Sequence, residues 1–357
     1  MSRVFRITAM LALLALAGCL GPVTKGPHVD RDALAREEAL QKKMVFERAM
    51  KDEARVYSLA FPLLGANAEF CGSYIRPVVG LSAWNIHSVD SGYRPAAKEL
   101  YGLDERLIVK TIARKSPAQK AGILSGDILE SINGEPLSGS NAVKAFDAAV
   151  RGSKDRPVKI GIRRQGRAQT YTVAPLMACN FPVRVDHESS AINAYADGRQ
   201  ITITRGMIRF AENDDELALV IGHELAHNAL THVDKLRNNA MAGSLGGLLI
   251  DSLFAAGGVS TGGGFAQVGA DLGASRNDIA FEQEADYVGM YFMERAGYSA
   301  RDVAQFWRRM AAETAQDVTA RNSHPTSPER FLAIEATYKE IIQKKATGKK
   351  IAPTLKK

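Results

Sequence analysis

Apolar residues change their spacing along this 357-residue chain, and each change marks an element. A mostly apolar run from Ile7 to Ala17 follows Arg3 and Arg6. It is too short to span a membrane as a stable helix and has the layout of a signal peptide. From Asp30 to about Leu59, Leu34, Leu40, Met44, Val45 and Met50 interleave with Arg, Glu and Lys. That predicts one charged helix, either spacing the body from a membrane or packing on it. Between Tyr74 and Ala174 short β-branched runs take over. Leu107-Ile108-Val109, Val158 to Ile162 and Thr170 to Val173 read as strands, and Asn133-Gly134 is a turn signal. Phe181 to Val185 and Ile201 to Thr204 predict two further strands. Asn193-Ala194-Tyr195-Ala196 lies between them, just before the turn at Asp197-Gly198. From Asp215 onwards helices dominate. Asn213-Asp214-Asp215-Glu216 supplies capping side chains and negative charge ahead of Leu217, Leu219, Val220 and Ile221. A further helix is expected from about Asp278 to Ala296.

The glycine-punctuated link from Gly243 to Asp271 contains Leu248-Leu249-Ile250 and Leu253-Phe254 but also Asp251, and is too short for a membrane span. It reads as a flap over an active site or as a plain helical hairpin.

Composition sharpens the setting. The net charge of +7 falls to about +5 without the leader arginines. Much of the excess sits in Lys344, Lys345, Lys349, Lys350, Lys356 and Lys357, read as a loose basic tail, with no nucleic-acid motif beside it. The leader ends in Leu16-Ala17-Gly18-Cys19, which resembles a bacterial lipobox and implies a lipid on Cys19. Leu20 after it, in place of Asp, points to the outer membrane, facing the periplasm. Cys71 and Cys179 remain, an even pair expected to form a disulfide in an oxidising compartment.

Candidate chemistry concentrates in His223-Glu224-Leu225-Ala226-His227. On a helix the two imidazoles stand one turn apart on one face and reach a single metal ion, while Glu224 addresses a water beside it. His232, five residues past His227, falls off that face and reads as a helix-end histidine.

Two resemblances follow. Ser116-Pro117-Ala118, Ala121-Gly122, Gly126-Asp127 and Asn133-Gly134 resemble a PDZ domain of the protease-associated kind. Such domains add an extended peptide as a strand. The resemblance implies a carboxylate loop at Val79-Gly80-Leu81 and a facing helix, Asn141 to Val150, with Val143 and Phe146 towards the ligand. Phe181 to Tyr338 resembles zinc metallopeptidases of the HtpX and CAAX-prenyl-protease type, most closely the soluble periplasmic BepA group. The carrying motifs are Asn-Ala-Tyr-Ala, the His223–His227 helix, Glu282-Gln283-Glu284-Ala285-Asp286, and Ser323-His324-Pro325 with Arg330. The family's Glu-x-x-x-Asp maps onto Glu282 and Asp286, implying Glu282 as third zinc ligand, with Glu284 as its rival if the register shifts. Asp286 then orients a ligand histidine, and Glu284 takes a surface role. The resemblance also implies His324 as a displaceable fourth ligand, with a helix-start histidine as the plain alternative, and Arg330 as a cation near the site.

The expected fold is α+β. It comprises a leader (1–18), an anchor and helix (19–65), a β-rich PDZ domain (74–175), a mainly helical zincin domain with a small edge sheet (180–345), and a basic tail (346–357). The expected function is a lipid-anchored zinc endopeptidase, with one Zn²⁺ per chain, that degrades misfolded or misassembled envelope proteins. The alternative is an assembly factor with a latent zinc site. No nucleic-acid partner is expected, and the oligomeric state is open.

Overall fold

The structure, a computed structural model, describes residues 24, 26–256, 261–268, 278–314 and 328–354. Cys19 and His324 lie outside the described residues, as does the whole leader. The described residues divide into two units, one up to Lys42 and the other from Lys43. In the first, helix α1 (Arg31–Ala66) begins with Asp30 accepting a hydrogen bond from the Ala33 N–H at 3.0 Å. Its early turns carry Glu38–Lys42 and Glu37–Gln41 pairs at i,i+4 spacing. Among the described residues no helix is long and apolar enough to cross a membrane.

In the second unit α1 runs past its expected end at Leu59 and through Pro62. Proline removes one helical hydrogen bond, but burial of Leu59, Ala60, Phe61 and Leu63 on the body outweighs that loss. Asn67 ends the helix by donating to Leu63 O at 2.9 Å and, across the interface, to Phe292 O at 3.0 Å.

The segment expected to hold the β-rich domain forms a six-stranded antiparallel sheet, in order β2-β3-β4-β6-β7 with β5 beside β4. Its strands are β2 (Leu81–Trp84), β3 (Leu107–Ile112), β4 (Ile128–Ile132), β5 (Glu135–Pro136), β6 (Val158–Arg164) and β7 (Arg167–Val173). Alternate inward residues, Leu107, Val109, Leu129, Ile132, Val158, Ile160 and Ile162, make one apolar core. That core also takes Phe146 and Val150 from a helix (Ala142–Gly152). Two shorter helices, α2 (Arg94–Tyr101) and α3 (Pro117–Ala121), precede this one, which is therefore α4. β1 (Ile75–Val78) and β8 (Leu176–Cys179) pair antiparallel outside the sheet, and the Cys71–Cys179 disulfide closes the same end.

The remaining body is mainly helical, over a three-stranded sheet in the order β10-β11-β9. Its strands are β9 (Val183–Asp186), β10 (Ala194–Ala196) and β11 (Ile201–Thr204). The helices are α5 (Arg205–Phe210), α6 (Asp214–Ala229), α7 (His232–Ala256), α8 (Asp278–Ala296), α9 (Val303–Thr314) and α10 (Pro328–Ala346). Helix α6 is buried on nearly every side, which explains its weak amphipathic signal.

The tail differs from the loose segment expected. Ile351 O accepts from Arg295 at 3.0 Å, Ala352 O from Lys344 at 2.8 Å, and the Thr354 N–H donates to Tyr287 at 3.0 Å. The described part of the Gly243–Asp271 link folds as a hairpin. Asp251 accepts from the Phe265 and Ala266 N–H groups, and a side chain at Gly247 would collide with Phe265 O at 2.0 Å.

Candidate metal centre

Helix α6 supplies both histidines. Its N-terminus is fixed by Asn213, whose side chain accepts from the Glu216 N–H at 3.0 Å, while Glu216 accepts from the Glu212 N–H at 2.8 Å. That start sets the rotation of the helix, so His223 and His227 share a face with their Nε2 atoms 3.1 Å apart. Glu282 of α8 faces both, its carboxylate oxygens 3.4 Å from His223 Nε2 and 3.1 Å from His227 Nε2. One donor atom from each of the three lies within 4.8 Å of the others, and all three residues are buried.

Close helix packing makes this possible. A Cβ on Gly289 of α8 would stand 2.9 Å from both Cα and N of His223, and one on Gly222 would stand 3.0 Å from Gly289 O. The two glycines let the backbones of α6 and α8 touch where the ligands converge.

Buried charges meet at this centre. Glu224, Glu282 and Asp286 are buried and, among the described residues, the buried guanidinium beside them is that of Arg330. Its guanidinium spans Asp286, with Nη2 3.0 Å from Oδ1 and Nε on Oδ2, and reaches Glu282 Oε2 at 3.2 Å. Trp307 covers its face with the ring centroid 4.7 Å away. Burial pushes the Asp286 carboxyl up, but the Arg330 charge and hydrogen bonds hold it below the usual carboxylate range. His223 Nδ1 lies 3.0 Å from Asp286 Oδ1. Burial opposes a charge on His223, yet Asp286 and Glu282 together raise its affinity for a proton. Two imidazoles and a carboxylate converging in this buried centre fit a divalent cation, with His₂Glu a donor set of zinc.

The structure thus brings together His223, His227, Glu282, Asp286, Arg330 and, on the same buried helix, Glu224. Glu284 is exposed, but not idle: its Oε2 lies 3.1 Å from His232 Nε2. His232, read above as a helix-end histidine, is fully buried with Nδ1 3.2 Å from His227 Nδ1. Periodicity misplaced it because α6 stops first. Thr231, at φ 57°, turns the chain into α7, and that turn returns His232 to the site. Burial and the adjoining His227 pull the His232 imidazole down to about 4.

Strand β10 lies beside this centre, with Tyr195 exposed on it and paired to Thr202. Asn228 of α6 pins the following turn, accepting from the Gly198 N–H at 2.8 Å and donating to Gln200 O at 3.1 Å. At the other domain, Val79, Leu81, Val143 and Phe146 line one cavity of about 410 Å³ between β2 and α4. Gly80, at φ 76°, admits no side chain, because a Cβ would meet Ser116 Cβ at 2.2 Å. Phe181 and Val183 of the helical body line the same cavity.

Comparison with known proteins accords with this geometry. Residues 164–338 match the model of peptidase family M48, and residues 108–164 match that of the PDZ domain. The mitochondrial metalloendopeptidase OMA1 of Saccharomyces cerevisiae is 28% identical over 157 residues, 41% of this chain and 44% of that protein. The beta-barrel assembly-enhancing protease of Yersinia pestis is 28% identical over 136 residues, 34% of this chain and 27% of that protein. A putative beta-barrel assembly-enhancing protease of Vibrio cholerae is 30% identical over 134 residues, 34% of this chain and 27% of that protein. The chain spans less than half the length of these curated relatives. With two histidines, a glutamate and their carboxylate support gathered on α6 and α8, the chain carries a metallopeptidase domain of peptidase family M48 joined to a PDZ domain.

Proposed function

We propose that this protein is a zinc endopeptidase of the bacterial envelope that cleaves misassembled outer-membrane proteins. The observation that carries the reading is the buried His223–His227–Glu282 cluster with Glu224 on the same helix. His223, His227 and Glu282 would hold one divalent ion, which supplies Lewis acidity for peptide-bond hydrolysis. Glu224 takes a proton from the attacking water and passes it to the leaving amine. Asp286, with Oδ1 3.0 Å from His223 Nδ1, attracts that side of the ring and keeps the imidazole's Nε2 turned to the ligand position. Arg330 neutralises part of the carboxylate charge and keeps Asp286 ionised.

Substrate choice rests on the second cleft. β2 ends one sheet and β9 ends the other, and both line a further cavity of about 660 Å³ that shares Ser82, Ala83 and Val183 with the first. A polypeptide tail fits such a space by adding a strand. The names of the relatives support β-barrel proteins as the substrate class. The lipobox-like Cys19 and the Cys71–Cys179 disulfide support anchoring at the periplasmic face of the outer membrane.

Purified protein with the wild-type sequence should degrade urea-unfolded outer-membrane β-barrel protein. Glu224→Gln should slow this about 10²- to 10⁴-fold while retaining bound zinc. Equal cleavage by both proteins rejects the peptidase reading. A cellular requirement met fully by Glu224→Gln would favour an assembly factor instead. Radiolabelled palmitate should enter the wild type and not Cys19→Ser; no label in either rejects the anchor.

A further inference from the structure

We propose that Glu284 and His232 form a hydrogen-bonded relay that fixes His227 in the one tautomer able to bind metal. The inference rests on the metal-centre reading above and adds two positioning residues to it.

Proton bookkeeping leads to it step by step. An ionised carboxylate only accepts hydrogen bonds, so the 3.1 Å contact between Glu284 Oε2 and His232 Nε2 places a proton on that nitrogen. A neutral His232 then has an unprotonated Nδ1, which accepts. Its neighbour at 3.2 Å is His227 Nδ1, which must therefore carry the proton and donate it. With the proton on Nδ1, His227 presents an unprotonated Nε2 towards Glu282 Oε1 and His223 Nε2, both 3.1 Å away. The opposite tautomer would aim a proton at the ligand position and leave two unprotonated Nδ1 atoms facing each other.

The supporting shell is built for this. His232 has no exposed surface, and Phe281 stacks on its ring at a centroid distance of 4.6 Å and 25° between planes. The arm mirrors the one on His223, where Asp286 acts directly. Helix α8 thus supplies both supporting carboxylates: Asp286 inside the core and Glu284, with 47% of its side chain exposed, at the rim. Sequence spacing hides the second arm, because Glu284 reaches His227 only through a residue on another helix.

Zinc affinity, measured by competition with a chromogenic chelator, tests the relay without requiring turnover. His232→Phe keeps a ring against Phe281 but removes the acceptor, and affinity should fall about 10- to 100-fold. Glu284→Ala alters only a surface side chain, so folding is retained, and affinity should fall in the same direction by a smaller factor. The double variant should bind no more weakly than His232→Phe alone, since Glu284 acts only through His232. Cobalt-loaded His232→Phe should show a shifted visible absorption spectrum. Wild-type affinity in both single variants, or multiplicative losses in the double variant, overturns the relay. Absence of zinc binding by the wild type would instead overturn the metal-centre reading.

Discussion

Arg330 is the residue on which the charge balance of the centre turns. Removing a guanidinium from two buried carboxylates leaves uncompensated charge, so Arg330→Met should cost the metal-free protein about 3–5 kcal/mol, read from urea denaturation at pH 7. The pH dependence should change as well. In the wild type Asp286 titrates below its ordinary 3.8. Its contribution is therefore present above that value and lost as pH falls through the depressed one. In Arg330→Met only His223 still opposes burial at Asp286, so that contribution should shrink and the variant should gain less stability than the wild type as pH rises from 3 to 7. A urea midpoint series from pH 3 to 7 compares the two proteins; parallel curves would refute this account. His223, raised in the metal-free state, has the opposite sign: its stabilising proton is held below 6.5 and lost as pH rises through the raised value. Zinc should therefore bind more weakly as pH falls, which a chelator titration at pH 5.5 and 7.5 would detect.

At the scale of elements, the contact of α6 with α8 decides whether ligands on separate helices meet. Gly289→Val should push the helices apart, because its Cβ would stand 2.9 Å from the His223 backbone. A loss of about 1–3 kcal/mol is expected for such overpacking, together with weakened zinc binding. Gly246→Ala, in α7 where a Cβ meets nothing within 4 Å, serves as the control. It should leave zinc affinity unchanged and raise the melting temperature slightly. Much of α6, α8 and the strands was legible from capping residues and β-branched runs. The end of α1 was not, because Pro62 is a local stop signal that burial of Phe61 and Leu63 overrides. Nor was the role of His232, because the helical period holds only while the helix continues, and Thr231 breaks it.

Over the whole molecule, one covalent link and one cleft join the two folds of the second unit. The Cys71–Cys179 bridge closes a loop with sequence separation 108. On the chain-entropy account a loop of that length stabilises by about 4–5 kcal/mol. Cys71→Ser with Cys179→Ser should lower stability by that order, with the melting curve as the measurement and an unchanged curve as the refutation. The bridge also holds β1 and β8 together, so the β-rich domain leaves and rejoins the chain at one place. That placement puts Phe181 and Val183 opposite Leu81 and Val143, a juxtaposition no local pattern encodes. By itself the sequence determined that His223 and His227 share one helix face, since two residues one helical turn apart have a fixed geometry wherever the helix lies. It also determined the cysteine pairing, which follows from residue count, whereas the need for glycine at position 80 came from how Ser116 and Phe61 pack on it. Only the tertiary structure decided how the ligands are supported and where the cleft runs. Hydrogen bonds between distant helices and facing sheet edges depend on how elements pack, and packing is set by the whole core together.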